Sequence, residues 1–298
     1  MNENRNLENK LLEPVLYYKN LKGKNIRKIL CDLFGNMLGV STDNISLINE
    51  ITNDFHNASL VIDDIEDNSL LRRNNTCAHI KYGIPLTLNA GYYSIFQSLE
   101  RISFHFSDTT TKNMIMYLKY IHQGQGMDIY YSQNKFIPSL EEYEQMMIYK
   151  TGYAFIMNLE LLMDKATNLI VKKKYEIIKR VLILFSLFFQ IRDDYINLTD
   201  KEYWKEKGFC QDIDEEKISY IITYYYQNNK INMIEKMKNK SIDGKKEIVL
   251  LFHETGTFDF IYKKLLDLKQ SILNEMNIEF LFDKLPFHKF QVEDLNLY

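Results

Sequence analysis

HNASLVIDDIEDNSLLRR, residues 56–73, decides how the rest of the chain is read. As a helix turning about 100° per residue, it sets His56, Asp63 and Asp67 within roughly 40° of one line. Ser59 shares that stripe, about one turn before Asp63. Ala58, Leu60, Val61, Ile62 and Ile65 supply apolar packing. Asp63, Asp64, Glu66 and Asp67 crowd into five residues, and Arg72 and Arg73 follow. One helix wall thus carries carboxylates with cations at its end. That suits a polyanion held through Mg²⁺, which takes one or two carboxylates and leaves its other positions to water and phosphate. Alone, such an acidic motif is equally a solvated helix face.

A second acidic site shifts the balance. In FFQIRDDYIN (188–197), Gln190, Asp193, Asp194 and Asn197 fall at i, i+3, i+4 and i+7, so they share one helical face. Two such helices facing each other across a bundle would clamp a metal–diphosphate group.

The chain resembles the short-chain trans-prenyltransferases, and among them the eukaryotic geranylgeranyl diphosphate synthases. The resemblance rests on LLEP (11–14), GKNIR (23–27), residues 56–73, HIKYGIP (79–85), HQGQGMDIYY (122–131), YKTG (149–152), FFQIRDDYINL (188–198), KEYWKEKGFCQD (201–212) and EEKISY (215–220). These occur in the family's order and span residues 11 to about 260. The resemblance implies an all-α, single-domain bundle of the isoprenoid synthase type, about ten or more helices around a central substrate cavity. It implies two to three Mg²⁺ ions on Asp63, Asp64, Asp67 and Asp193. It also places isopentenyl diphosphate on Lys24, Arg27, His56 and Arg73, and the allylic diphosphate on Arg72, Lys150, Thr151, Gln190, Lys207 and Lys217. Ala58, Ser59, Ile95, Phe96 and His122 are expected to set product length at the floor of a tunnel.

Four departures from the family pattern stand out. Asn74 and Glu216 occupy positions where glycine is usual, which restricts the backbone there. Tyr153 stands for a second glycine and would narrow the wall beside Lys150. Tyr220-Ile221 also replaces a usual Phe-Pro pair.

Composition agrees with a helical enzyme. The 298 residues hold only four prolines and eleven glycines, and helix-forming Leu, Ile, Lys and Glu are plentiful. A net charge of −3 gives no basic footprint for nucleic acid. Three dispersed cysteines, with no CxxC pair, point to free thiols in a reducing compartment. The polar N-terminus has no leader pattern. The apolar run 181–191 is too short to span a bilayer. A cytoplasmic homodimer or larger homo-oligomer of a single domain, 1–298, is expected.

Periodicity and breakers predict helices over about 24–39, 44–68, 85–106, 110–132, 139–165, 170–198, 217–228, 230–239, 244–255 and 257–276, with a loop at 69–84. Gly124 and Gly126 sit mid-helix, where each costs roughly 1 kcal/mol relative to Ala. Both are expected to permit close packing.

The expected reaction condenses isopentenyl diphosphate with an allylic diphosphate, farnesyl diphosphate first among them, to give geranylgeranyl diphosphate. Small residues one turn before Asp63 favour a product longer than C15, with C25 as the alternative because Ile95 is smaller than the usual Tyr. A class I terpene cyclase shares the first aspartate motif but has no need of a second diphosphate site. A non-catalytic subunit would have no need of the aspartates and arginines.

Overall fold

The computed structural model describes residues 2–21, 23 and 25–297; for residues 2–6, 206, 207, 294, 296 and 297 it describes the backbone alone. The chain is all-α. Its elements are α1 (Asn2–Leu11), α2 (Glu13–Lys19), α3 (Ile26–Met37), α4 (Thr42–Glu66), a hairpin of β1 (Leu71–Arg72) and β2 (Asn75–Thr76), α5 (Ala78–Tyr82), α6 (Ile84–His105), α7 (Asp108–Gln133), α8 (Leu140–Met147), a π-helical turn (Ile148–Gly152), α9 (Tyr153–Lys165), α10 (Leu169–Lys172), α11 (Tyr175–Thr199), α12 (Lys201–Lys207), α13 (Gln211–Asp214), α14 (Tyr220–Asn229), α15 (Ile234–Met237), α16 (Ile242–Glu254), α17 (Thr257–Glu275), α18 (Glu279–Phe282) and a closing 3₁₀ turn (Val292–Leu297). They form two compact units, one of Met1–Lys119 with Ile156–Glu176 and one of Tyr120–Phe155 with Ile177–Tyr298.

In the first unit, α4 is the central helix. Ser41 caps its N-terminus, accepting from the Asn44 amide at 3.4 Å. Ile45, Ile48, Ile51, Phe55, Ala58 and Ile62 are buried at helical spacing. The helix ends at Glu66 because Asn68 turns left-handed, with φ 53°. Pro85 lies in the first turn of α6, where its missing N–H costs nothing. Gly91 lets α6 press onto α4; a Cβ there would lie 2.7 Å from Ile62 Cγ1.

In the second unit, α8 opens with a full capping box, Ser139 with Glu142. Phe188 packs edge-on against Phe282 with centroids 4.9 Å apart. Tyr195 is buried and ties down the C-terminal segment: its hydroxyl donates to the His288 carbonyl at 3.1 Å and accepts from the Phe290 amide at 3.0 Å.

Several expectations need correction. The 69–84 loop contains a hairpin and α5. Arg73 and Asn74 both have positive φ, 52° and 60°, and Arg72 pairs with Asn75 across the turn. That is the left-handed pair a two-residue hairpin turn needs. Asn tolerates it, so Asn74 serves in place of glycine. The helix expected over 139–165 is interrupted by the π turn, and 230–239 shortens to α15. Gly124 fulfils its reading, since a Cβ would lie 2.3 Å from the Lys150 backbone nitrogen. Gly126 does not: nothing lies within 4 Å of its added Cβ.

Candidate active site

On the first unit's wall, the two aspartates of Asp63-Asp64 part company. Consecutive helical residues point about 100° apart. Asp63 keeps a partly accessible carboxylate, while Asp64 is fully buried. Asp64 accepts from the Tyr18 hydroxyl and from Arg72, and Arg72 Nη2 also donates to Asp63 at 3.2 Å. Burial opposes the charge on Arg72, but Asp64 and then Asp63 outweigh it and raise its pKa. Asp64, expected among the metal ligands, has its carboxylate engaged by Tyr18 and Arg72 instead. Its oxygens are occupied in positioning Arg72. Asp67, the C-terminal cap of α4, is exposed.

Beside this lies a cationic group. Arg27 Nη1 and His56 Nε2 are 3.1 Å apart, with the arginine donating to a neutral imidazole. Burial, then the charges of Arg27, Arg73 and Arg72, hold His56 well below its ordinary 6.5. Burial and then Arg73 lower the Arg27 pKa to about 10. Burial and then Arg72 lower that of Arg73, whose Nη1 donates to the Leu21 carbonyl at 2.8 Å. Like charges crowded in a poorly solvated place are what an incoming anion relieves. Lys24, expected in this group, lies outside the described residues.

The second unit repeats the division. Asp193 is partly accessible and accepts from the Tyr203 hydroxyl at 3.4 Å. Asp194 is buried. It accepts from Lys217 Nζ at 2.9 Å, the Tyr220 amide at 3.0 Å, the Tyr143 hydroxyl at 3.3 Å and Gln190 Nε2 at 3.5 Å. Thr151 Oγ1 donates to Gln190 Oε1 at 3.4 Å, so Thr151, Gln190, Asp194 and Lys217 form one chain of contacts. Burial opposes the charge on Lys217, and Asp194 and then Asp212 raise its pKa well above the ordinary value. Lys150, in the π turn, donates to Asp128 at 2.7 Å. Such turns widen a helix and often coincide with functional residues. The side chain of Lys207 lies outside the described residues.

Glu216 has φ 50°, a conformation that costs a non-glycine residue on the order of 1 kcal/mol. Its carboxylate meets Lys135 at 2.8 Å and Lys240 at 3.3 Å, which offsets that strain. Tyr153 stacks on Tyr120, with centroids 4.8 Å apart. Tyr120 also stacks on Tyr149 at 5.3 Å.

The residues expected to set product length differ in exposure. Ala58 is fully buried, whereas Ser59 is exposed and donates to the His56 carbonyl at 2.8 Å. Ile95 faces the packed side of α6, but Phe96, one residue and 100° further on, is 66% exposed. Phe96 and His122 are thus both solvent-exposed within the single chain.

Each unit by itself offers carboxylate oxygens of the kind Mg²⁺ takes: Asp63 and Asp67 are at least partly accessible in the first, and Asp193 in the second. Among the described residues no group of three or more His, Cys, Asp or Glu could by itself hold a metal ion. Sites with one or two carboxylates and substrate phosphates suit Mg²⁺ better than a full protein cage. The three cysteines are free and buried, and burial pushes Cys77 up to about 11 and Cys31 to about 12.

The sequence model of the polyprenyl synthetases matches residues 8–252. The chain belongs to the polyprenyl synthetase family. It is accordingly an isoprenoid-biosynthetic enzyme of the prenyltransferase type. A geranylgeranyl pyrophosphate synthase of Dictyostelium discoideum is 34% identical over 275 residues, covering 90% of this chain and 88% of that protein. One from Rhodocybe pseudopiperita is 32% identical, covering 84% and 74%. A protein named terpene synthase from Matsumurasca onukii is 35% identical over 276 residues, covering 91% and 89%.

Sequence reasoning passed over Tyr18, Tyr143, Tyr203 and Asp212 as site residues. Asp212 lies 3.7 Å from Lys217, and burial raises its carboxyl pKa, with Lys217 opposing. Only its place in the FCQD string hinted at a role. The tyrosines reach the aspartates from other elements, so no local spacing marks them.

Proposed function

We propose that this prenyltransferase condenses isopentenyl diphosphate with an allylic diphosphate, farnesyl diphosphate foremost, and releases geranylgeranyl diphosphate and diphosphate. The crowded cations Arg27 and Arg73 beside neutral His56 carry this reading. They form an anion site distinct from the Asp63–Arg72 pair, and a condensation needs two diphosphates where a cyclisation needs one. The relatives named geranylgeranyl pyrophosphate synthase support the C20 product.

Asp63, Asp67 and Asp193 would hold two to three Mg²⁺ ions, which supply charge neutralisation to the leaving diphosphate. Arg72, Lys150, Lys207 and Lys217 donate to that diphosphate, with Thr151 and Gln190 beside them. As the allylic C–O bond breaks, Gln190 and nearby dipoles flank the cation. Arg27, His56, Arg73 and Lys24 orient isopentenyl diphosphate so that its double bond forms the new C–C bond. The released diphosphate takes the proton, so no basic side chain is required. Both units act as one domain, 1–298, a reading supported by a family match that runs through both. The enzyme works in the cytoplasm, in keeping with its free cysteines. It pairs as a homodimer, which the exposed Tyr92 and Phe96 one turn apart on α6 support.

The test is incorporation of labelled isopentenyl diphosphate by Arg27→Gln. Losing a charge-assisted hydrogen bond of about 1.5–3 kcal/mol raises the KM for isopentenyl diphosphate roughly 10- to 150-fold, while the KM for farnesyl diphosphate moves far less. Equal changes in both would remove the second-diphosphate reading. The terpene synthase relative favours one rival, a cyclase, which would consume the allylic diphosphate without isopentenyl diphosphate.

A further inference from the structure

In the first unit, the C-terminal end of α6 and the connection from α9 to α11 each carry strongly exposed apolar side chains. Ile170 is 77% exposed, Leu169 68% and Phe104 78%. The first two form the turn between α9 and α11, and Phe104 lies at the C-terminal end of α6. Lys172, Lys173 and Lys174 follow directly, with Lys173 and Lys174 exposed.

The connection is braced. The Thr167 and Asn168 amides donate to the Leu38 carbonyl at 3.1 and 2.9 Å. Thr167 Oγ1 donates to the Gly39 carbonyl at 2.6 Å, and Asn168 Nδ2 to that of Met37 at 3.2 Å. Asn168 Oδ1 in turn accepts from the Ile170 and Val171 amides at 3.2 and 3.3 Å. Asp164 joins the α6–α7 turn to the same end of α9, accepting from the Ser107 amide at 3.2 Å and Thr110 Oγ1 at 2.9 Å. Leu169 and Ile170 are thus held out from the surface by a hydrogen-bonded support.

Charge complements the apolar tip. Residues 164–176 carry four lysines against two acids, in a chain of net charge −3. One of those acids, Asp164, is already paired with Lys165 at 3.2 Å. Large aliphatic side chains flanked by lysines match a bilayer whose headgroups are anionic, with apolar tips entering the interface and ammonium groups meeting phosphate. We infer that the end of the first unit formed by Phe104, Leu169, Ile170 and Lys172–Lys174 docks reversibly on an anionic lipid surface.

The experiment is flotation of the full chain with phosphatidylcholine vesicles, with and without phosphatidylserine. The chain is expected to float with the phosphatidylserine vesicles and to be released by salt. Leu169→Ser with Ile170→Ser should cut partitioning at least about tenfold. Lys172→Gln, Lys173→Gln and Lys174→Gln together should abolish the preference for phosphatidylserine, a loss of roughly 30-fold or more. Melting curves report whether each variant is folded, and a folded Ile170→Ser single variant substitutes for a double variant that is not. Equal flotation by wild type and lysine variant, or no flotation by wild type, overturns the inference. So does a serine variant that changes oligomeric state but still floats, because the patch then belongs to a protein interface.

Discussion

The Asp63-Asp64 and Asp193-Asp194 pairs lie in different helices of different units, yet each divides its labour the same way. The first carboxylate stays partly accessible, and the second is buried against a cation: Arg72 for Asp64, Lys217 for Asp194. The difference lies in the support. Asp64 draws on Arg72 and the Tyr18 hydroxyl. Asp194 accepts from Lys217, a backbone amide, a tyrosine and Gln190. In each pair one carboxylate stays partly accessible and the other clamps a cation; under the proposed function the first is a metal ligand and the second aims a phosphate-binding side chain, and the second clamp is the more deeply wired.

The largest expected effect separates ligand from clamp. Asp63→Asn and Asp193→Asn should each lower kcat by roughly 10²–10³-fold, the usual scale for losing one electrostatic stabiliser, with little change in Tm. The next effect falls on the clamps. Removing one member of a buried ion pair costs about 3–5 kcal/mol, so Asp64→Asn and Asp194→Asn should lower urea midpoints. Asp194→Asn should be the worse, because it leaves more donors unsatisfied. Equal losses would remove the asymmetry drawn above.

A smaller effect sharpens the second clamp. Glu216→Gly relieves the positive φ but releases Lys135 and Lys240 next to Lys217. Stability should change by less than about 1 kcal/mol, while the KM for the allylic diphosphate rises several-fold as the Lys217 loop slackens. The smallest effect belongs to His56. Its folded pKa is depressed, so below pH 6.5 the unfolded chain binds a proton that the folded chain refuses. This contribution is complete above pH 6.5 and is lost as pH falls toward the folded value. Urea unfolding at pH 7 and pH 5.5 should show a loss that His56→Gln reduces.

Much of this was legible in the sequence. The 3.6-residue pattern of residues 42–66 placed α4 within about two residues, and Gly124 announced its contact with the Lys150 backbone. Asn74 and Glu216 marked positions of positive φ. Other features left no readable trace. Two strands of two residues each are too short to alternate. The π turn at Lys150 depends on i→i+5 bonding, which no apolar period reports. Asp64 could have been separated from Asp63 by the 100° between neighbours, but its partner Tyr18 lies 46 residues away. Phe96 shows the converse limit, since alignment with a family position does not fix which way a side chain faces.

The central claim is that two diphosphates are joined. The most direct measurement is product analysis after incubating the purified chain with Mg²⁺ and farnesyl diphosphate, with and without labelled isopentenyl diphosphate. The account predicts a labelled C20 prenyl alcohol after dephosphorylation, formed only when both substrates are present. A hydrocarbon or cyclised alcohol formed from farnesyl diphosphate alone, with no label incorporated, would contradict it.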